Sequence, residues 1–212
     1  MRAVEFAVLF FGLPALFAFA RHRLPALPAL WLFAGFCWIV LLRDPSVDRR
    51  QLWNAAALPA CLTSILLPFA VAAVVLMLAV HRFAPVLFLS LPRTNPVLWV
   101  AILLLYPVLS VYPQSIVYRA FLFHRYGGLF GGMSGGGVGT VIASAVAFGF
   151  LHVVFRNGWA VGLSALAGLL FAARYLQTGS LFVSAFEHSL YGCLIFTVGL
   201  GRFFYSGAVR RF

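Results

Sequence analysis

AAALPACLTSILLPFAVAAVVLMLAV, residues 55–80, carries no charged side chain over its whole length. About 20 apolar residues suffice for a helix to cross the hydrocarbon core of a bilayer, so this stretch reads as a membrane span. Similar runs recur at roughly 4–20, 25–42, 96–112, 138–155, 159–176 and 180–200, and residues 113–126 read as a further helix. The fold class is therefore all-α: a polytopic integral membrane helical bundle of about seven or eight transmembrane helices. The whole chain agrees, with 64% hydrophobic and 9% charged residues among 212 and a mean hydropathy of +1.04. Soluble domains carry roughly 25% charged residues, which excludes an ordinary soluble protein.

The breaks between runs are chemically consistent. They fall at Arg21-His22-Arg23 with Pro25 and Pro28, at Arg43-Asp44-Pro45, at Pro92-Arg93-Thr94-Asn95-Pro96, at Gly127-Gly128, at Arg156-Asn157-Gly158 and at Thr178-Gly179-Ser180. Pro107 and Pro113 predict a kink or break in the middle of the chain. Gly149, Gly158, Gly162 and Gly168 predict close helix contacts. The first twenty residues imitate a secretory signal peptide ending in Ala18-Phe19-Ala20, but Glu5 interrupts the basic start and a retained span is expected. Residues 1–95 are expected to form N-terminal transmembrane helices and 96–212 a core that carries the polar motifs, in one integrated membrane domain.

All fifteen basic residues are arginines, against four acids: Glu5, Asp44, Asp48 and Glu187. The arginines sit singly or in pairs between apolar runs, as membrane-flanking residues do, and not in one cluster, so the lipid bilayer is expected as a partner and nucleic acid is not. Their distribution does not set the orientation: a cytoplasmic N-terminus places Arg2, Arg43, Arg49 and Arg50 inside against Arg21, Arg23, Arg82 and Arg93 outside. Cys37, Cys61 and Cys193 lie in apolar runs and are odd in number, which argues against a disulfide framework.

Ionisable groups inside spans are costly and face a partner or a wet cavity. They occur in Tyr112-Pro113-Gln114-Ser115-Ile116-Val117-Tyr118-Arg119, in Phe148-Gly149-Phe150-Leu151-His152, in Glu187-His188-Ser189-Leu190-Tyr191-Gly192-Cys193, and at Arg174. On helices, Ser115 shares a face with Arg119, Phe148 with His152, and His188 with Ser184 and Gly192, the last leaving space beside the imidazole. Glu187 is the one acid beyond Asp48 and is expected to carry its charge and pair with Arg119, which would make it a poor base. His22 and His81 read as interfacial, and His124 as a headgroup contact.

Taken in order, Gln114-Ser115-x-x-x-Arg119, Phe148-x-x-x-His152 and His188-x-x-x-Gly192 resemble the three motifs of the CPBP family, the intramembrane endopeptidases that include the CAAX prenyl proteases and bacteriocin-processing proteins. The phrase Tyr-Pro-Gln-x-x-x-Tyr-Arg, with Phe-His-Arg-Tyr downstream, looks like a bacterial branch, which implies a multi-pass protein of a bacterial inner membrane. In that family the pattern is Glu-Glu-x-x-x-Arg, Phe-x-x-x-His and His-x-x-x-Asn or Asp. A carboxylate of the Glu pair activates water, the Arg orients the Glu, and the histidines and Asn hold water or the oxyanion. The resemblance implies a membrane-embedded or lipidated peptide or protein as substrate and Arg119, His152, His188, Gln114 and Ser115 as site residues, to which Glu187 is added as the carboxylate beside His188.

Here both motif acids are replaced, by Gln114 and Ser115, and the Asn by Gly192. Neither an amide nor an alcohol is a base near neutral pH. Three readings stay open: an endopeptidase whose base has moved to Glu187 or the Glu187-His188 pair; a catalytically inactive pseudoprotease that binds a membrane helix or lipid; and a rhomboid-like serine protease using Ser134 of Gly132-Met133-Ser134-Gly135 with His188 as base. No cofactor is expected. Nor is a metal, since His152 and His188 lack an obvious third ligand and catalytic zinc takes three from the protein.

Overall fold

The computed structural model describes residues 1–20, 25–131 and 137–204. Among them there is no strand, and seven helices are long and apolar enough to cross a membrane: α1 (Arg2–Ala20), α2 (Ala26–Arg43), α3 (Ala55–Phe83), α4 (Pro96–Phe130), α5 (Val138–Phe155), α6 (Gly158–Thr178) and α7 (Leu181–Val198). The protein is an all-α polytopic helical bundle, as the apolar runs predict. Helix starts use the polar residues of the breaks: Asn95 Oδ1 accepts from Leu98 N, Asn157 Oδ1 from Trp159 N, and Ser180 Oγ from Val183 N. Gly179, with φ +56°, ends α6 in the left-handed conformation and turns the chain tightly into α7.

The separate helix expected over 113–126 does not exist as such. It is the second half of α4, which runs through Pro107 and Pro113 without a break. The chain accommodates the prolines with π-helical turns at Pro107–Val111 and Ile116–Phe121, which bracket the four residues carrying Gln114 and Ser115. Such local widening is one way for a helix to keep its backbone bonded around a residue that has no N–H.

Two carbonyls that lie four residues before a proline are taken over by side chains from other helices. Pro113 cannot donate to Leu109 O, and Trp31 Nε1 of α2 does so at 3.0 Å. Pro68 cannot donate to Ser64 O in α3, and an Arg174 terminal nitrogen of α6 does so at 3.0 Å. A backbone acceptor left open in a bilayer costs several kcal/mol, so each proline creates a docking point for a neighbouring helix. Trp31→Phe is expected to destabilise the protein by about 1 kcal/mol, and by less in a Pro113→Ala background, where the helix can supply its own donor. Equal losses in both backgrounds, measured by unfolding in detergent, would contradict this.

Helices α5 and α6 form the closest pair. A Cβ at Gly149 would come within 2.7 Å of the Ala165 Cβ, and one at Gly168 within 3.1 Å of the Ala145 Cα, so these two glycines set the approach. Gly158 and Gly162, read as equivalent in sequence, have nothing near their Cβ positions.

At one end of the bundle, Glu5 of α1 receives Arg125 Nε at 2.7 Å and the Tyr126 hydroxyl at 2.9 Å from α4. His124 does not serve as a free headgroup contact: its Nε2 lies 2.8 Å from Asp44 Oδ2 in the turn after α2. The Ser46 hydroxyl, and then His124, hold the Asp44 carboxyl well below the usual carboxylate range. A depressed carboxylate stabilises the fold fully above its unfolded pKa and loses that contribution as pH falls towards the folded value. The melting-temperature difference between wild type and Asp44→Asn should therefore be constant near neutrality and shrink below about pH 4. A difference unchanged down to about pH 3 would contradict the assignment.

Candidate functional site

Helices α3, α4, α5, α6 and α7 enclose a cavity of about 320 Å³. Its polar lining is Tyr106, Ser110 and Gln114 from α4, His152 from α5, Ser164 from α6 and His188 from α7; Gly192 lies beside them. Most of the remaining lining is apolar, including Leu163, Leu166 and Leu170 of α6 and Ile195 and Phe196 of α7. Three sequence-predicted site residues, Gln114, His152 and His188, are thus brought to one cavity. Ser115, Arg119 and Glu187 do not line it.

His152 sits at the point where α5 tightens into its last, 3-10 turn. Its Nδ1 is 2.8 Å from Phe148 O, an atom that can only accept, so Nδ1 carries the proton and Nε2 keeps its lone pair. His188 stacks on Phe171 with centroids 4.5 Å apart and meets the edge of Phe148 at 5.2 Å. Its Nδ1 has no hydrogen-bond partner among the described residues. Gln114 Nε2 donates to Ser110 Oγ at 2.9 Å, and its Oε1 has no hydrogen-bond partner among the described residues. Ser115 is fully buried and turns its hydroxyl back onto Val111 O at 2.8 Å.

The pairing of Glu187 with Arg119 is not formed. Glu187 is held by Arg174, whose Nε is 2.9 Å from Oε2 and whose terminal nitrogen is 3.3 Å from Oε1. Arg174 also reaches Ser64 Oγ at 2.9 Å, so the pair is clamped to α3. The physical reason is helix phase: adjacent residues point about 100° apart, so with His188 turned to the cavity Glu187 faces away from it. Arg119 is fully buried, and none of its three guanidinium nitrogens has a hydrogen-bond partner among the described residues. Its Cζ lies 4.2 Å from the centre of the Phe148 ring and 5.6 Å from that of Phe171, the two rings that also flank His188. Cation–π contact returns about 2 kcal/mol when desolvated, less than the several kcal/mol that burial of an unpaired ion costs.

The space that Gly192 was expected to leave beside His188 is filled. A Cβ there would lie 2.6 Å from the Tyr106 hydroxyl oxygen and closer still to its ring. Gly192→Ala should therefore destabilise by about 1–3 kcal/mol, and Tyr106→Ala should relieve much of that loss. Additive losses in a thermal unfolding series would show that the two do not compete. Tyr106 was missed in the sequence, although Tyr106, Ser110 and Gln114 recur at a spacing of four, the signature of one helix face.

Ser134 of the rhomboid-like alternative lies outside the described residues. Among the described residues no three His, Cys, Asp or Glu side chains are grouped as a metal site would require.

The three successive polar motifs thus bring two histidines and a glutamine to one cavity of a multi-pass helical bundle. Residues 95–194 match the family model described as type II CAAX prenyl endopeptidase Rce1-like. The match over this segment supports the CPBP/CAAX protease family, and the seven apolar helices fit an integral multi-pass membrane protein of that kind. No curated protein and no solved structure matches it significantly.

Proposed function

We propose that this chain is a catalytically silent member of the family, a pseudoprotease of a bacterial cytoplasmic membrane that receives an apolar membrane-embedded ligand in the cavity without cutting it. The observation that carries this reading is the placement of all four acidic side chains of the sequence. Glu5 is bonded to Arg125 and Tyr126, Asp44 to Ser46 and His124, Asp48 caps the turn at Arg49–Leu52, and Glu187 is clamped by Arg174. None lines the cavity. Peptide hydrolysis needs a group to take a proton from water, and the position that faces the histidines holds Gln114, an amide. Glu187, in this reading, is a structural tie between α3, α6 and α7.

The imidazole Nε2 of His152 is the remaining candidate base. The test is therefore a cleavage assay in proteoliposomes with apolar transmembrane peptides, comparing wild type with His152→Ala and His188→Ala. All three are expected to leave the peptides intact. Wild-type cleavage that disappears in either variant would replace this reading with a histidine-based endopeptidase.

A further inference from the structure

The two intramembrane arginines nearest the cavity are treated oppositely by the fold. Arg174 has a carboxylate, a hydroxyl and a backbone carbonyl, whereas Arg119 has aromatic faces only. Phe148 and Phe171, which cover Arg119, are themselves part of the cavity wall, so an uncompensated positive charge lies one ring behind that wall. Facing inward from α4 are two hydroxyls able to donate, since Ser110 Oγ accepts from Gln114 and keeps its own proton while Tyr106 is placed against Gly192. No acid opposes them. A site that is positive, has neutral donors and is walled mostly by apolar side chains attracts one anionic group strongly, because charges interact at short range through a low dielectric.

The opposite wall defines the rest of the ligand. Leu163, Leu166 and Leu170 of α6 are apolar, and Leu166 is also 67% exposed at the outer surface, near the middle of a membrane-spanning helix. The mouth of the cavity thus opens sideways to lipid hydrocarbon. Its volume of about 320 Å³ is at the lower end of the roughly 300–1,000 Å³ of small-molecule sites.

Building on the reading of a non-cleaving cavity, we infer that its occupant is a single-chain amphiphile with a carboxylate head, of the long-chain fatty acid class, whose carboxylate is held at Tyr106 and Ser110 under the charge of Arg119 and whose chain lies along α6. The carboxylate stands in for the acid that Arg119 lacks.

The test uses the full chain in phosphatidylcholine nanodiscs, with protein-free discs as the partition control, and two probes of equal chain length, palmitate and hexadecanol. Palmitate is expected to bind saturably, to raise the melting temperature, and to bind at least about tenfold more tightly than hexadecanol, a ratio that collapses towards one in Arg119→Gln. If Arg119→Gln does not fold, the wild-type ratio alone decides. Hexadecanol binding as tightly as palmitate would overturn the inference, as would tighter binding of an apolar peptide with a free C-terminal carboxylate. Either result in a chain that cuts no peptide leaves the non-cleaving reading standing, whereas cleavage would overturn that reading whichever amphiphile binds.

Discussion

Glu187→Gln is expected to lower the stability of the folded protein by about 3–5 kcal/mol, because it strips the only carboxylate from a buried guanidinium. Arg174 would keep its bonds to Ser64 but lose the charge-assisted pair, at 2.9 and 3.3 Å, that joins α6 to α7. Arg174→Gln should cost a similar amount, since it leaves a fully buried carboxylate alone and also opens the Ser64 carbonyl that Pro68 cannot satisfy. The double variant should cost clearly less than the sum, with a coupling energy of about 1–3 kcal/mol. Arg119→Gln combined with Glu187→Gln should be additive instead. Unfolding in detergent that coupled Glu187 to Arg119, and not to Arg174, would show the helix phases assigned here to be wrong.

The second large effect has the opposite sign. Arg119→Met is expected to raise stability by about 1–4 kcal/mol in the ligand-free protein, as exchange of buried ions for packed apolar side chains often does. The side chain is completely enclosed and makes no hydrogen bond among the described residues, so removal forfeits the cation–π contact with Phe148 and the packing of the stem, while lifting the desolvation penalty of an unpaired charge. A methionine of similar length and high adaptability retains most of the packing against Phe148 and Phe171. A fall in melting temperature of the purified, delipidated protein would mean that Arg119 is paired in a way the chain alone does not reveal. The contrast with Arg174 makes the point: both are buried cations inside spans, yet one is a structural tie and the other an unmet demand for negative charge.

The spans were legible because runs such as 55–80 leave no alternative to a membrane. The eighth helix was misread because Pro107 and Pro113 signal a break locally, whereas π-helical turns and a tryptophan from α2 absorb both of them. The partner of Glu187 was misread for a different reason. With one acid and several arginines, composition cannot choose between Arg119 and Arg174. The turn at Gly179 could have: α6 and α7 are consecutive antiparallel helices, and positions 174 and 187 lie five residues before it and eight after it, in the adjoining turns of the two helices. Helix phase agrees, since Glu187 points about 100° away from its neighbour His188, whose flanking rings Phe148 and Phe171 cover Arg119. The histidines and Gln114 stood out because polar side chains are rare in such spans, and they line the cavity, while Tyr106, which also lines it, was hidden among many aromatic residues.

The central claim is that the cavity carries Gln114 and the two histidines of the three motifs but holds no acid. It is tested most directly by measuring peptide hydrolysis in reconstituted membranes by the wild type and by the Gln114→Glu, Ser115→Glu double variant, which returns a carboxylate to the cavity wall and places a second one a turn away from Arg119. The account predicts no turnover by the wild type and measurable turnover by the double variant. Equal turnover by both would contradict it, because a group other than a cavity carboxylate would then be activating water.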